Sequence, residues 1–131
     1  LLLALADSGV RVLLPVVLPD RDLDWAVDDG TRAAGALAGV LEPGGPRLGP
    51  AAVADADVVV VPALAVDTGG RRLGQGGGSY DRALARVGAG ALVVALLHDE
   101  ELLDGEQVPV SAHDVPVHAV VTPRRTVRLT G

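Results

Sequence analysis

Residues 58–84 read "VVVVPALAVDTGGRRLGQGGGSYDRAL". Four successive valines, closed by Pro62, make a short β-branched run. A run of this kind suits a strand buried on both faces of a sheet. The strand is expected over Ala56 to Leu64, in "ADVVVVPAL". "VDTGGRR" then reads as a turn on Gly69 and Gly70, and the glycine loop follows. "SYDRALARV", Ser79 to Val87, reads as a helix with Ser79 as N-cap and with Tyr80, Leu84 and Val87 on one face. A buried strand leading through a glycine loop into a helix is a building unit of α/β proteins.

The flanking sequence extends this pattern. Downstream, "ALVVALL" (Ala91 to Leu97) predicts a second buried strand. "HDEELLDGEQVPVSAHD" reads as an acidic loop segment, and "VHAVVTP" (Val117 to Pro123) as the last strand. Arg124, Arg125 and Arg128 then form a solvated basic end. Upstream, "VRVLLPVVL" (Val10 to Leu18) predicts a strand, and "DRDLDWAVDDG" an exposed one carrying Leu23, Trp25 and Val27. "TRAAGALAGV" reads as short helix or coil, and Leu41 to Pro50 as a loop. "LLLALADSG" reads as the end of a helix capped by Gly9, with its start further upstream. The expected fold class is α/β, a three-layer domain with a mostly parallel sheet flanked by helices. One N-terminally truncated domain is expected over residues 1–131.

Composition narrows the chemistry. Hydrophobic residues make up 49% of the chain but aromatics only 2%, so the core must be built from Val, Leu and Ala. Cysteine is absent, which removes disulfides, thiolate metal sites and cysteine nucleophiles. Lysine is absent too, which removes Schiff-base chemistry and the P-loop lysine. The formal net charge of -6 argues against a general nucleic-acid binder. No apolar run approaches the roughly 18 residues that span a bilayer.

The loop Gly74 to Gly78 has two readings. It is either a flexible surface loop or a phosphate cradle, in which backbone N–H groups face one anion and Arg71 and Arg72 add charge-assisted hydrogen bonds. It lacks the Lys-Ser or Lys-Thr of a Walker A loop, and Ser79 occupies the last glycine position of the dinucleotide fingerprint. Asp81, one turn into the helix, would repel phosphate unless a cation lay between them, which points to Mg²⁺.

"VVVPALAVDTGGRRLGQGGGSYDRAL" resembles the signature of the 5-formyltetrahydrofolate cyclo-ligase (methenyltetrahydrofolate synthetase) family. "LPVV", "LEP" and "VPVSAHDVPVHAVVT" fall in that family's order on either side. The resemblance implies an ATP-dependent ligase that closes 5-formyltetrahydrofolate to 5,10-methenyltetrahydrofolate and releases ADP and phosphate. It implies ATP and Mg²⁺ as cofactors, a folate as small-molecule substrate, and a cytoplasmic monomer with neither nucleic acid nor membrane as partner. By motif match, Arg72, Leu73, Gly74, Gln75, Gly76, Gly77, Gly78, Ser79 and Tyr80 would line the ATP phosphates. Gln75, Gly76, Gly77, Gly78 and Ser79 would also face the folate, and Asp81 and Asp114 would hold Mg²⁺. No general acid, base or nucleophile is assigned.

The chain departs from the family pattern at three places. Ser79 stands where the family has the first of two tyrosines, His118 where many members carry Asp, and the family's N-terminal helices have no counterpart. Ser79 and the missing N-terminal helices keep a second reading open, a non-catalytic nucleotide- or folate-binding homologue of the same fold. His113, beside Asp114, is a further acid/base or ligand candidate, whereas His98-Asp99 reads as a strand end. Trp25 is either a ring stacker or a partly buried strand residue.

Overall fold

The computed structural model of the chain describes residues 7–35, 41–74, 78–105, 108–109 and 115–129. Among them lies a four-stranded sheet of β5 (Val58–Pro62), β8 (Leu92–Leu96), β10 (Ala119–Val121) and β11 (Thr126–Arg128). Strands β5, β8 and β10 run parallel, with Val60 opposite Val94 and Val94 opposite Ala119. Strand β11 joins β10 antiparallel, so the expected basic tail is in part an edge strand and Val117 to Pro123 is not the last strand. The expected α/β class with a mainly parallel sheet holds.

Strand β5 differs from its reading in one respect. Val59 and Val61 are 6% and 1% exposed, but Val58 and Val60 are 54% and 49% exposed. A strand turns alternate side chains to opposite faces, and β5 is an edge strand with only one face covered among the described residues. Pro62 suits that edge, since it brings no ladder N–H. On the covered face Val61, Val93, Ala95 and Val120 pack with Val53, from a 3-10 helix over Pro50–Asp55, and with Ala83 and Leu84.

Strands β1 (Leu13–Val17) and β2 (Leu23–Val27) form an antiparallel hairpin. Strand β2 is buried, not exposed as its acidic flanks suggest: Leu23 and Ala26 are fully covered and Trp25 is 7% exposed. Asp24 is tolerated there because its Oδ1 accepts from the N–H groups of Trp25 and Gly49, both at 2.7 Å. Residues read as helix or coil and as loop instead pair as two short antiparallel strands, β3 (Arg32–Ala34) and β4 (Leu41–Pro43). Residues 36–40 lie outside the described set.

Three further strands form a separate sheet around the turn. Strand β6 (Ala65–Asp67) pairs antiparallel with β7 (Arg72–Leu73) and parallel with β9 (Leu102–Leu103). Helix α1 (Ser79–Leu84) follows β7 and is shorter than the expected Ser79 to Val87. Among the described residues no helix is long and apolar enough to cross a membrane.

Candidate functional site

The turn between β6 and β7 is organised by Asp67, which is fully buried. Its Oδ1 accepts from the N–H groups of Gly69 and Arg71 at 3.0 and 3.1 Å. Its Oδ2 accepts from Val108 N–H at 3.0 Å, and Arg71 Nε lies 3.5 Å away. Burial alone would raise this carboxyl, but the three N–H donors and the Arg71 charge outweigh it and hold it below its ordinary value. An Asp two residues before Gly-Gly is the sequence sign of such a turn. It is a structural acid that the sequence reading did not single out.

This turn delivers Arg72 to the ends of β5 and α1. Arg72 Nη1 donates to the Pro62 carbonyl at 3.2 Å, and Nη2 donates to Asp81 Oδ1 at 2.7 Å. The Arg72 side chain is only 5% exposed and that of Asp81 is 42% exposed. Arg72 Nε is buried without a hydrogen-bond partner among the described residues. Thus the expected phosphate contact and the expected metal ligand are bonded to each other.

Two loop glycines have specific physical reasons. A Cβ on Gly74 would lie 3.0 Å from Arg72 Nη1 and 3.3 Å from Nη2, so the guanidinium rests against the bare backbone. Gly78 has φ +74 and is the N-cap of α1, a left-handed position that glycine fills without strain. Ser79 is therefore the first helical residue and not the cap, because Gly78 makes the turn into the helix. Leu73 is 43% exposed, beside the loop. Gln75, Gly76 and Gly77 lie outside the described residues, as do His113 and Asp114.

The site sits at the carboxyl ends of the parallel strands β5 and β8, where open α/β sheets place ligands. A cleft of about 560 Å³ opens there, lined by Val60, Pro62, Ala63, Tyr80, Leu96, His98 and Glu101 among others. Burial raises the Tyr80 phenol above its ordinary value, with the nearby Arg72 charge acting in the opposite direction. Glu101, also missed by sequence, caps a 3-10 helix over Asp99–Glu101 by accepting from the His98 N–H at 2.7 Å. The His-x-x-Glu spacing is its signal.

Other candidates fall into structural roles. His98 ends β8 as expected, and Asp99 bonds Thr122 Oγ1 and lies 3.5 Å from Arg124 Nε. His118 closes the sheet ladder: its Nδ1 accepts from Val93 N–H at 3.0 Å while its own N–H donates to the Val93 carbonyl at 2.8 Å. A carboxylate at that position has the same accepting capacity. Trp25 belongs to the core and is not an exposed ring stacker.

No group of three or more His, Cys, Asp or Glu side chains converges on one point among the described residues. Asp81 nonetheless fits a hard cation in chemistry. Its Oδ1 is fixed by Arg72, and its Oδ2 is without a hydrogen bond among the described residues. Mg²⁺ is commonly held by one or two carboxylates together with substrate phosphates.

Comparison with known proteins gives a consistent result. A 5-formyltetrahydrofolate cyclo-ligase of Mycolicibacterium smegmatis is 43% identical over 130 residues, covering 95% of this chain and 66% of the relative. The Escherichia coli K12 cyclo-ligase is 43% identical over 70 residues, covering 53% of this chain and 37% of the relative. A mitochondrial cyclo-ligase of Arabidopsis thaliana is 40% identical over 82 residues, covering 56% of this chain and 30% of the relative. The chain thus spans about two thirds or less of the length of these curated relatives. In fold it is similar to a 5,10-methenyltetrahydrofolate synthetase structure from Mycoplasma pneumoniae. That match has a TM-score of 0.65 and 17% identity, covering 91% of this chain and 60% of the other. The sequence model of the 5-formyltetrahydrofolate cyclo-ligase family matches residues 1–123, and the chain belongs to that family.

Proposed function

We propose that this protein closes 5-formyltetrahydrofolate to 5,10-methenyltetrahydrofolate at the expense of ATP, as a cytoplasmic monomer that requires Mg²⁺. The observation that carries this reading is the 43% identity to a named cyclo-ligase over 95% of the chain, glycine loop included. A formamide carbon is a poor electrophile and its oxygen a poor leaving group. MgATP supplies the phosphoryl group that turns this oxygen into phosphate, so that N10 of the folate bonds to the formyl carbon, the carbon–oxygen bond breaks, and the N10 proton is lost.

Such chemistry asks the protein for position and charge more than for a nucleophile. In this reading the segment Arg72 to Tyr80 serves the phosphates, Arg72 through its bond to Asp81, and Gln75 to Ser79 also meet the folate. Asp81 and Asp114 provide carboxylates for the metal. Tyr80 and the apolar ends of β5 and β8 line one side of the cleft.

The test is turnover of the protein with 5-formyltetrahydrofolate and MgATP, followed by absorbance of the methenyl product. The expected result is product that requires both ATP and Mg²⁺ and is lost in Asp81→Ala. A folded protein that binds ATP and forms no product would instead be a binding homologue, the reading that Ser79 in place of tyrosine favours.

A further inference from the structure

We infer that Arg72 is a positioning residue for Asp81 and acts on bound nucleotide through that carboxylate, not as a direct ligand of the phosphates. The inference rests on the reading above that the site takes a metal–nucleotide complex. Arg72 is turned inward. Its two terminal nitrogens are engaged by the Pro62 carbonyl and Asp81, and its side chain is 5% exposed. The backbone at Gly74 lies against the guanidinium, since a Cβ there would stand 3.0 Å from Nη1. The remaining N–H groups of Arg72 are covered as well, so to touch a phosphate the side chain would have to turn outward from a position where only 5% of it is exposed.

Asp81 shows the complementary arrangement. One oxygen is held at 2.7 Å by Arg72, while the side chain remains 42% exposed. An Asp carboxylate turns freely about its last torsion unless a donor fixes it. The two arms of the guanidinium span Pro62 and Asp81, so Nη2 anchors Oδ1 from a fixed point and leaves Oδ2 to be presented to a cation.

The two roles predict different metal dependence. Binding of β,γ-imido-ATP is measured by calorimetry with Mn²⁺ and again in EDTA, and the Mn²⁺ environment is read by electron paramagnetic resonance. For a positioning residue, Arg72→Gln weakens Mn²⁺-nucleotide binding by about tenfold or more, the usual range for a support of a metal ligand. It changes binding in EDTA by less than about twofold, and it has no further effect in an Asp81→Asn background. Arg72→Lys keeps the charge but not the fork, so it retains metal-free binding, loses most of the gain from Mn²⁺ and serves as the second variant should Arg72→Gln not fold. Equal losses with and without metal, or additive losses with Asp81→Asn, would overturn the inference and leave the ligase reading intact. Failure of the unaltered protein to bind the nucleotide would overturn that reading and this one together.

Discussion

Asp67 shows how one side chain can set a site it never touches. Its carboxylate fixes the turn that carries Arg72 to Pro62 and Asp81. Replacing it by alanine strands buried N–H groups, and we expect a loss of about 3 kcal/mol or more in urea unfolding at neutral pH. Asp67→Asn should lose less, because it still accepts at one oxygen. Since the folded carboxyl is held below its unfolded value, this stability is complete above about pH 4 and falls away as the pH drops through the folded pKa. The difference between wild type and Asp67→Asn should therefore shrink in acid. Asp67 was legible as part of a turn, but its burial was not, because its third donor comes from Val108, 41 positions away. Arg72 and Asp81 were both expected at the site from the motif. Their bond to each other was not, because it joins a strand to a helix across nine positions.

At the level of single elements, the four valines offer a direct test of facing. Val61→Ala should cost roughly 2–3 kcal/mol in denaturant unfolding and Val60→Ala less than about 1, since the two are 1% and 49% exposed. Equal costs would mean that both faces of β5 are covered. The run identified the strand correctly because β-branched side chains favour extended backbone. It did not reveal facing, because identical residues carry no alternation. The reverse error arose at β2, where Asp22, Asp24 and Asp28 gave a polar appearance to a strand whose side chains are mostly buried. Hydrogen bonds from Trp25 and from Gly49, 25 positions away, satisfy the Asp24 charge and remove the objection to burial. Short strands β3 and β4 were missed because pairs of this length are held by partners and not by intrinsic preference.

Across the whole molecule, the hairpin of β1 and β2 is joined to the segment after α1 by a two-bond ion pair. Arg86 Nη1 and Nη2 donate to Asp22 Oδ1 and Oδ2 at 2.7 and 2.6 Å. The Arg86 bond is the main reason that the Asp22 carboxyl is lowered to about 2. Arg86 is 34% exposed, so solvent screens the pair, and a double-mutant cycle at pH 7 should give about 1–2 kcal/mol of coupling. The folded pKa lies below the unfolded one, so the coupling is full above about pH 4 and disappears as the pH falls toward 2. No local pattern could reveal this pair, whose members are 64 positions apart. The buried Asp67 has a comparable reach with a different consequence. Three amide hydrogens, on Gly69, Arg71 and Val108, end on one carboxylate. Deuterium uptake at these three sites should therefore follow one opening event and a shared protection factor, and Asp67→Ala should split them into independently exchanging amides.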